Sequence, residues 1–448
     1  MSQRKVIEER REIPVVGEYD VVVLGGGPAG IAAALAAGRT GRSTVLVERY
    51  GFLGGAGTAA GLSTFCGLHA VVGGEHRQVV HGVVDDILRR LERMDGLNRP
   101  HLTIRDQIQA QAYDISAYKI AADELLLEAK VKLLFHAWAV AAIMKSETEI
   151  DAVLVETKSG RKALAGRIFI DATGDGDLSL WAGAPCEVGD GKGNMLYPST
   201  MFRINAVDPE KAGKAWDLIP KLMDEAEAKG LRRFPRKKPI VRPQRDPIEW
   251  RANLTQIKNP DGTAASGIDY EQLAYAEIEG RRQCWDVFDF IRRSTPGFER
   301  AYIVEIAPQI GIRETRRVRG EYMVTGEDVL GCADFPDTIG VNGWPVEAHV
   351  SGDVNFVFHK KERGFNQLPY RMIVPQGVGN LFVTGRCASM THEAQSSARV
   401  SGSCFVMGQA AGTAAHLALA GGIAPREVNV SELQRRLEAD GAYLGWKW

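Results

Sequence analysis

The chain has 448 residues, 45% hydrophobic and 25% charged, and its 55 Lys+Arg against 56 Asp+Glu give a formal net charge of −1. These proportions exclude disordered and collagen-like architectures, leave room for two or more domains around a sizeable core, and supply no basic excess for a nucleic-acid partner. Its 49 glycines exceed the norm of roughly 7% and point to tight turns and close backbone approach to a ligand. The six cysteines (Cys66, Cys186, Cys284, Cys332, Cys387 and Cys404) form no Cys-x-x-Cys pair, so no metal knuckle, iron–sulfur run or dithiol is expected. Residues 1–19 mix basic and acidic side chains, unlike a secretory signal. The uncharged stretch 21–38 is broken by glycines and Pro28, so a cytoplasmic protein without a membrane span is expected.

In chain order, Val21-Val22-Val23-Leu24 is a short apolar run that fits a strand buried on both faces of a parallel sheet. Gly25-Gly26-Gly27-Pro28-Ala29-Gly30 follows, then an alanine-rich helical stretch, then a second strand, Thr44-Val45-Leu46-Val47, ending on Glu48. This is G-x-G-x-x-G between strand and helix, with an acidic residue about 20 positions on. Gly25 permits the sharp turn, Gly27 lets the backbone approach a pyrophosphate, and Gly30 lets the helix pack on the strand. The helix N-terminus offers N–H groups to phosphate. Glu48 can accept from ribose hydroxyls, which favours FAD or NAD over NADP.

Further on, residues 114–129 have the spacing of an amphipathic helix, and residues 131–135 and 138–143 read as strands. Residues 167–176 form a strand ending in Ala172-Thr173-Gly174. Residues 380–386 form another ending in Gly385-Arg386, and a long helical pattern follows from Gly402 to Ala420.

Together with the glycine-rich loop from Arg49 to Gly55, these segments resemble the broad FAD-dependent oxidoreductase family related to fumarate-reductase flavoproteins and heterodisulfide-reductase A-like proteins. The resemblance runs from about Tyr19 to about Ala420 and is closest over residues 311–317, 368–371 and 385–394. It implies FAD and an α/β fold: a discontinuous, glutathione-reductase-like Rossmann-type FAD-binding domain (residues 18–63, 113–184 and 367–448) with an inserted α+β substrate-binding or cap domain (64–112 and 185–366). It places the cofactor against Gly25, Gly27, Pro28, Ala29, Gly30, Glu48, Arg49, Gly54, Gly55, Thr58, Ala139, Val140, Ala172, Thr173, Gly174, Gly385, Arg386, Gly402 and Ser403. Arg386 stands where many relatives carry an aspartate, which leaves open what holds the ribityl hydroxyls. The cluster cysteines of the heterodisulfide branch are missing.

His392, shortly after Gly385, is the first candidate for a general acid/base, and His349 beside Glu347, in a loop, is the second. Arg313, Arg316 and Arg371 are candidates for a carboxylate clamp, although Arg313 with Glu314 reads equally as a structural ion pair. Tyr370 could donate to substrate or plug a domain interface. Cys66 with His69 could approach the flavin ring, even covalently, whereas Cys387 and Cys404 have no context for a redox pair. The basic run 232–239 reads as a solvated loop. The expected activity is hydride transfer between flavin N5 and a small polar organic substrate, as a dehydrogenase or oxidase. The alternatives are reduction of an activated C=C bond and a non-redox hydratase or isomerase. A small molecule is the expected partner. The electron acceptor and any homo-oligomer stay open.

Overall fold

The computed structural model describes residues 4–104 and 106–446. Its centre is a seven-stranded sheet in which β1 (Val15–Leu24) lies between β2 (Thr44–Val47) and β3 (Gly160–Asp171), parallel to both. Val21, Val22 and Val23 are fully buried, as a run flanked by strands on both sides and covered on both faces requires. Strand Lys132–Leu134 extends the sheet beyond β2, also parallel. β3 serves several partners. Its first half runs antiparallel to Ile150–Thr157, which in turn pairs with Trp138–Met144, and its last three residues run parallel to β4 (Leu381–Val383). This is the Rossmann-type α/β arrangement, and it gathers strands from both ends of the chain.

α1 (Pro28–Arg39) and α2 (Ser401–Gly421) pack along one another on this sheet. A Cβ at Gly408 or Gly412 would lie 2.1 or 2.2 Å from the carbonyl oxygens of Ala29 and Ala33, so glycine sets this close approach. The amphipathic helix spans Ile115–Glu128, and Asp114 caps it by accepting the Ala117 N–H at 2.8 Å.

A second, antiparallel sheet has the order Ile240–Pro243, Trp250–Asn253, Phe202–Asn205, Tyr302–Ile306, with helices Ala215–Ala228 and Tyr270–Ser294 beside it. Trp250 and Ala252 join Phe202, Phe288 and Phe298 in its core. Alternation then turns Arg251 and Asn253 to the opposite face. The same rule corrects one expectation. Glu347 and His349 lie on strand Val346–Val350, paired with Asp353–Val357, rather than in a loop. The two share one face of that hairpin.

The basic run 232–239 is only partly a solvated loop. Arg232 and Lys238 pair with Asp286 and Asp353 at the surface, but Arg236 is 2% exposed and donates to the carbonyls of Asn253 (2.9 Å) and Lys238 (3.2 Å). Among the described residues no helix is long and apolar enough to cross a membrane.

Candidate functional site

A cavity of about 770 Å³ runs from the ends of β1 and β2 to the face of the second sheet that carries Arg251. Its first wall is the glycine turn. Gly25 has φ +99°, and a Cβ there would sit 2.3 Å from the Ala172 carbonyl oxygen; one at Gly30 would sit 1.8 Å from that of Gly25. Packing demands both glycines. Gly27 differs: its φ is −74°, and its Cβ would meet only the Gly55 Cα, at 3.8 Å. The space beside Gly27 is an open cradle at the N-terminus of α1, a helix that no side chain caps. Such a terminus, with its N–H groups and positive dipole end, fits a pyrophosphate.

Pro28, Ala29 and Gly55 continue this wall. Glu48 is buried. Its Oε2 accepts the Gly26 N–H at 2.7 Å and its Oε1 the Tyr50 N–H at 3.0 Å, so one carboxylate fixes both the turn and the following loop. Each oxygen retains capacity for a ribose hydroxyl. Arg49 lies 5.0 Å from the Tyr50 ring centroid and 5.7 Å from that of Trp138, and donates to Gln309 Oε1 at 3.2 Å. Ala139 and Ala172 line the same end.

Thr173, Gly174 and Asp175 come next. Asp171, fully buried, organises them: it accepts from the amide and hydroxyl of Thr173 and from those of Ser179. Arg386 reaches across to pair with Asp175 at 2.8 Å and to donate to Thr315 Oγ1 at 3.0 Å. Arg386 thus arrives with its own counter-charge. Gly385 (φ +76°) and Arg386 line the cavity beside the uncapped N-terminus of α2, with Val400, Ser401 and Cys404. The residues of this elongated half fit FAD.

Six expected cofactor contacts do not line the cavity: Gly30, Gly54, Thr58, Val140, Gly402 and Ser403. They build its walls instead. Gly54 (φ +110°) shapes the loop, and Thr58 Oγ1 donates to the Leu53 carbonyl at 2.7 Å. Val140 packs with Ala152 and Leu154. A Cβ at Gly402 would lie 2.3 Å from the Gly67 carbonyl oxygen, and Ser403 Oγ donates to Asn342 Oδ1 at 2.8 Å. The turn of α2 presents Ser401 to the cavity in their place.

The far end brings together Cys66, Arg251, Asn253, Arg313, Glu347, His349 and Arg399. Glu347 is the hub: it accepts from Trp344 Nε1 at 2.9 Å, its Oε1 lies 2.9 Å from His349 Nε2, and its Oε2 lies 3.9 Å from Arg399 Nη2. Burial alone would raise its carboxyl, but His349, Arg399 and Trp344 hold it down at about 2. His349 is 3% exposed. Burial and the Arg313 charge push it well below the usual imidazole range despite Glu347. Its Nε2–H then donates to the carboxylate, and Nδ1 is left buried without a partner. Burial raises the Cys66 thiol to about 12, so it is not a thiolate.

His392 and Tyr370, expected at this end, are elsewhere. His392 Nδ1 lies 2.9 Å from the carboxylate of buried Glu314, which also holds Arg317. Burial alone would lower the His392 imidazole, but Glu314 raises it. Tyr370 is 2% exposed and donates its hydroxyl to the Pro425 carbonyl at 2.7 Å. Of the candidate clamp only Arg313 lines the cavity, because Arg316 pairs with Asp177 and Arg371 binds Asp337 through two nitrogens. Glu314 engages His392 and Arg317 rather than Arg313. Arg251, Asn253 and Arg399 were not foreseen as site residues. The alternation in Trp250-Arg251-Ala252-Asn253 was a signal for the first two. His69 lines a second cavity of about 500 Å³ with His76 and His359, walled from the first by Trp344 and Ile108. Among the described residues no group of three or more His, Cys, Asp or Glu could hold a metal ion.

Comparison with known proteins gives three kinds of match. A dihydrolipoyl dehydrogenase of Trypanosoma brucei brucei is 52% identical over 46 residues, 10% of each chain, so this chain spans about a tenth of that relative's length in the match. A geranylgeranyl bacteriochlorophyll reductase-like protein of Thermoplasma acidophilum superposes with a TM-score of 0.45 at 12% identity, covering 94% of this chain and 83% of that one. A flavin-dependent brominase does so with a TM-score of 0.46 at 13% identity, covering 94% and 84%. A family model described as FAD dependent oxidoreductase matches residues 20–437, and the chain belongs to that family.

Proposed function

We propose that this FAD-dependent oxidoreductase transfers a hydride between the cofactor and a small polar organic substrate bound at the Arg313–His349 end of the cavity, as a dehydrogenase or oxidase. The observation that carries the reading is His349: it lines a cavity continuous with the dinucleotide cradle, is oriented through Nε2 by Glu347, and has Nδ1 buried without a partner. Bound FAD supplies the two-electron acceptor. His349 Nδ1 takes the proton that the substrate's O–H or N–H gives up as its hydride leaves, and Glu347 stabilises the imidazolium so formed. The N-terminus of α2 supports negative charge developing beside it. In this reading residues 18–63, 113–184 and 367–448 bind the cofactor, and residues 64–112 and 185–366 cap the substrate.

A second reading, reduction of an activated C=C bond in the manner of fumarate-reductase flavoproteins, draws on the guanidinium groups of Arg313 and Arg399 at the same end, which would polarise a conjugated carbonyl. Anaerobic mixing with a panel of small alcohols, amines and hydroxy acids tests the first reading through bleaching of the flavin band. Enoates that reoxidise the chemically reduced protein would favour the second. If neither group of compounds acts, the redox reading fails.

A further inference from the structure

Most arginines around the site carry their own carboxylate. Arg386 has Asp175, Arg316 has Asp177, Arg317 has Glu314 and Arg371 has Asp337. The far end of the cavity breaks this pattern. Arg313, 7% exposed, gives Nη1 to the Tyr197 carbonyl (2.6 Å) and Ser199 Oγ (2.8 Å), both neutral. Arg399 has Nε and Nη2 buried without a hydrogen-bond partner, its one carboxylate contact being Glu347 Oε2 at 3.9 Å. Behind them Arg236 bonds only to carbonyls, with Nε and Nη1 unpartnered. Arg251 bonds to the Leu62 carbonyl and Thr64 Oγ1, with Nε unpartnered. Among the described residues the one carboxylate within ion-pair distance of these four cations is Glu347, which reaches Arg399 at 3.9 Å and is also engaged by Trp344 and His349, while Asp353 and Glu314 act on Arg236 and Arg399 from farther off. Burial weakens the hold of Arg313 on its proton, and the charges of Arg399 and Arg236 add to that against the opposing pull of Glu347.

Buried charge without a counter-charge is costly, and proteins usually avoid it or bind its partner. The cofactor's pyrophosphate has its own cradle at Gly27, where the N-terminus of α1 answers its charge. We infer that the substrate carries a carboxylate, held between Arg313 and Arg399, with its reacting carbon next to that group and against His349. The inference rests on the proposed substrate site and narrows its occupant to small carboxylic acids such as 2-hydroxy, 2-amino or 2-enoic acids. Guanidinium groups offer parallel N–H donors that match the two oxygens of a carboxylate.

The test is an equilibrium titration of the oxidised holoenzyme, followed by flavin difference spectra and calorimetry. The probes are lactate, alanine, fumarate and succinate, each against its amide. At least one acid should bind saturably while its amide does not. Arg399→Gln and Arg313→Lys should each weaken that binding at least tenfold at unchanged FAD content. Should Arg313→Lys fail to fold, Arg399→Gln alone decides. Absence of binding by every acid, equal binding of the amides, or unchanged affinity in folded Arg399→Gln would overturn the inference. Because no turnover is required, an acid that binds without ever bleaching the flavin upholds the anion site while counting against hydride transfer. A neutral substrate that bleaches it, with no acid binding, does the reverse.

Discussion

Replacing Gly27 with valine tests where the cofactor's phosphates lie. The backbone there tolerates a side chain, with φ −74° and nothing closer to a Cβ than Gly55 Cα at 3.8 Å. The three added carbons therefore enter the cradle at the start of α1 rather than the protein. Folding should lose only about 1 kcal/mol, the cost of a β-branched residue at a helix N-cap. Cofactor binding should lose much more. Displacing the pyrophosphate from two backbone N–H donors forfeits two charge-assisted hydrogen bonds of about 1.5–3 kcal/mol each, which is about 10²–10⁴-fold in affinity. Flavin released by heat, together with circular dichroism and a melting curve, reads both quantities. The expected variant is folded and colourless. Gly25→Ala and Gly30→Ala should instead disrupt folding, because their Cβ atoms would meet carbonyl oxygens at 2.3 and 1.8 Å. Normal FAD content in Gly27→Val, or global unfolding of that variant, would refute the placement.

Glu48→Ala should weaken FAD binding by about 1.5–3 kcal/mol; because Glu48 also holds the Gly26 and Tyr50 amides, the variant's turn should exchange amide hydrogens faster, and an unchanged FAD dissociation constant would remove Glu48 from the ribose. His392→Asn should lower the melting temperature, because buried Glu314 loses one of its partners, and should leave the pH dependence of flavin reduction intact; a lost limb in that profile would restore His392 to the chemistry. Burial holds His69, His101 and His359 down to about 4, so between pH 6.5 and 4 the unfolded chain binds protons that the folded one refuses. Stability is therefore lost on acidification, by up to about 1.4 kcal/mol per pH unit for each, and His359→Asn should flatten the fall of melting temperature below pH 6.5; the same slope in both proteins would contradict this.

The cofactor half was legible in the sequence because its determinants are local. Gly25, Gly27 and Gly30 act within one turn between adjacent elements, and Glu48 ends the very next strand, so spacing alone carries the geometry. The strand that ends at Gly385 was legible for the same reason, although only the fold shows it inserted beside Asp171. The substrate end was not legible, since it is assembled from Arg251, Arg313, His349 and Arg399, which share no motif and meet only where four separate segments face one cavity. His392 was favoured over His349 because it follows Gly385 closely, yet the first turn of helix His392–Ala398 directs it to Glu314. His349 looked like a loop residue because Pro345 precedes its strand. The alternation of Val346, Ala348 and Val350 with Glu347 and His349 carried the correct answer. Arg236 was hidden in a run of exposed cations, where sequence offers no way to single out the one that is buried.

The most direct test of the account is rapid-reaction reduction of the flavin in wild-type protein and in His349→Asn, measured anaerobically across pH with the first compound found to bleach the wild type. The variant should retain FAD, since asparagine still offers a donor to Glu347, and its reduction should slow by about 10²–10⁴-fold, the usual contribution of a positioned base. The slowing should persist at every pH at which the protein stays folded, because burial and Arg313 hold the His349 imidazole well below its usual range. A wild-type rate in FAD-replete His349→Asn across that pH range would contradict the central claim that the chemistry takes place at this end of the cavity.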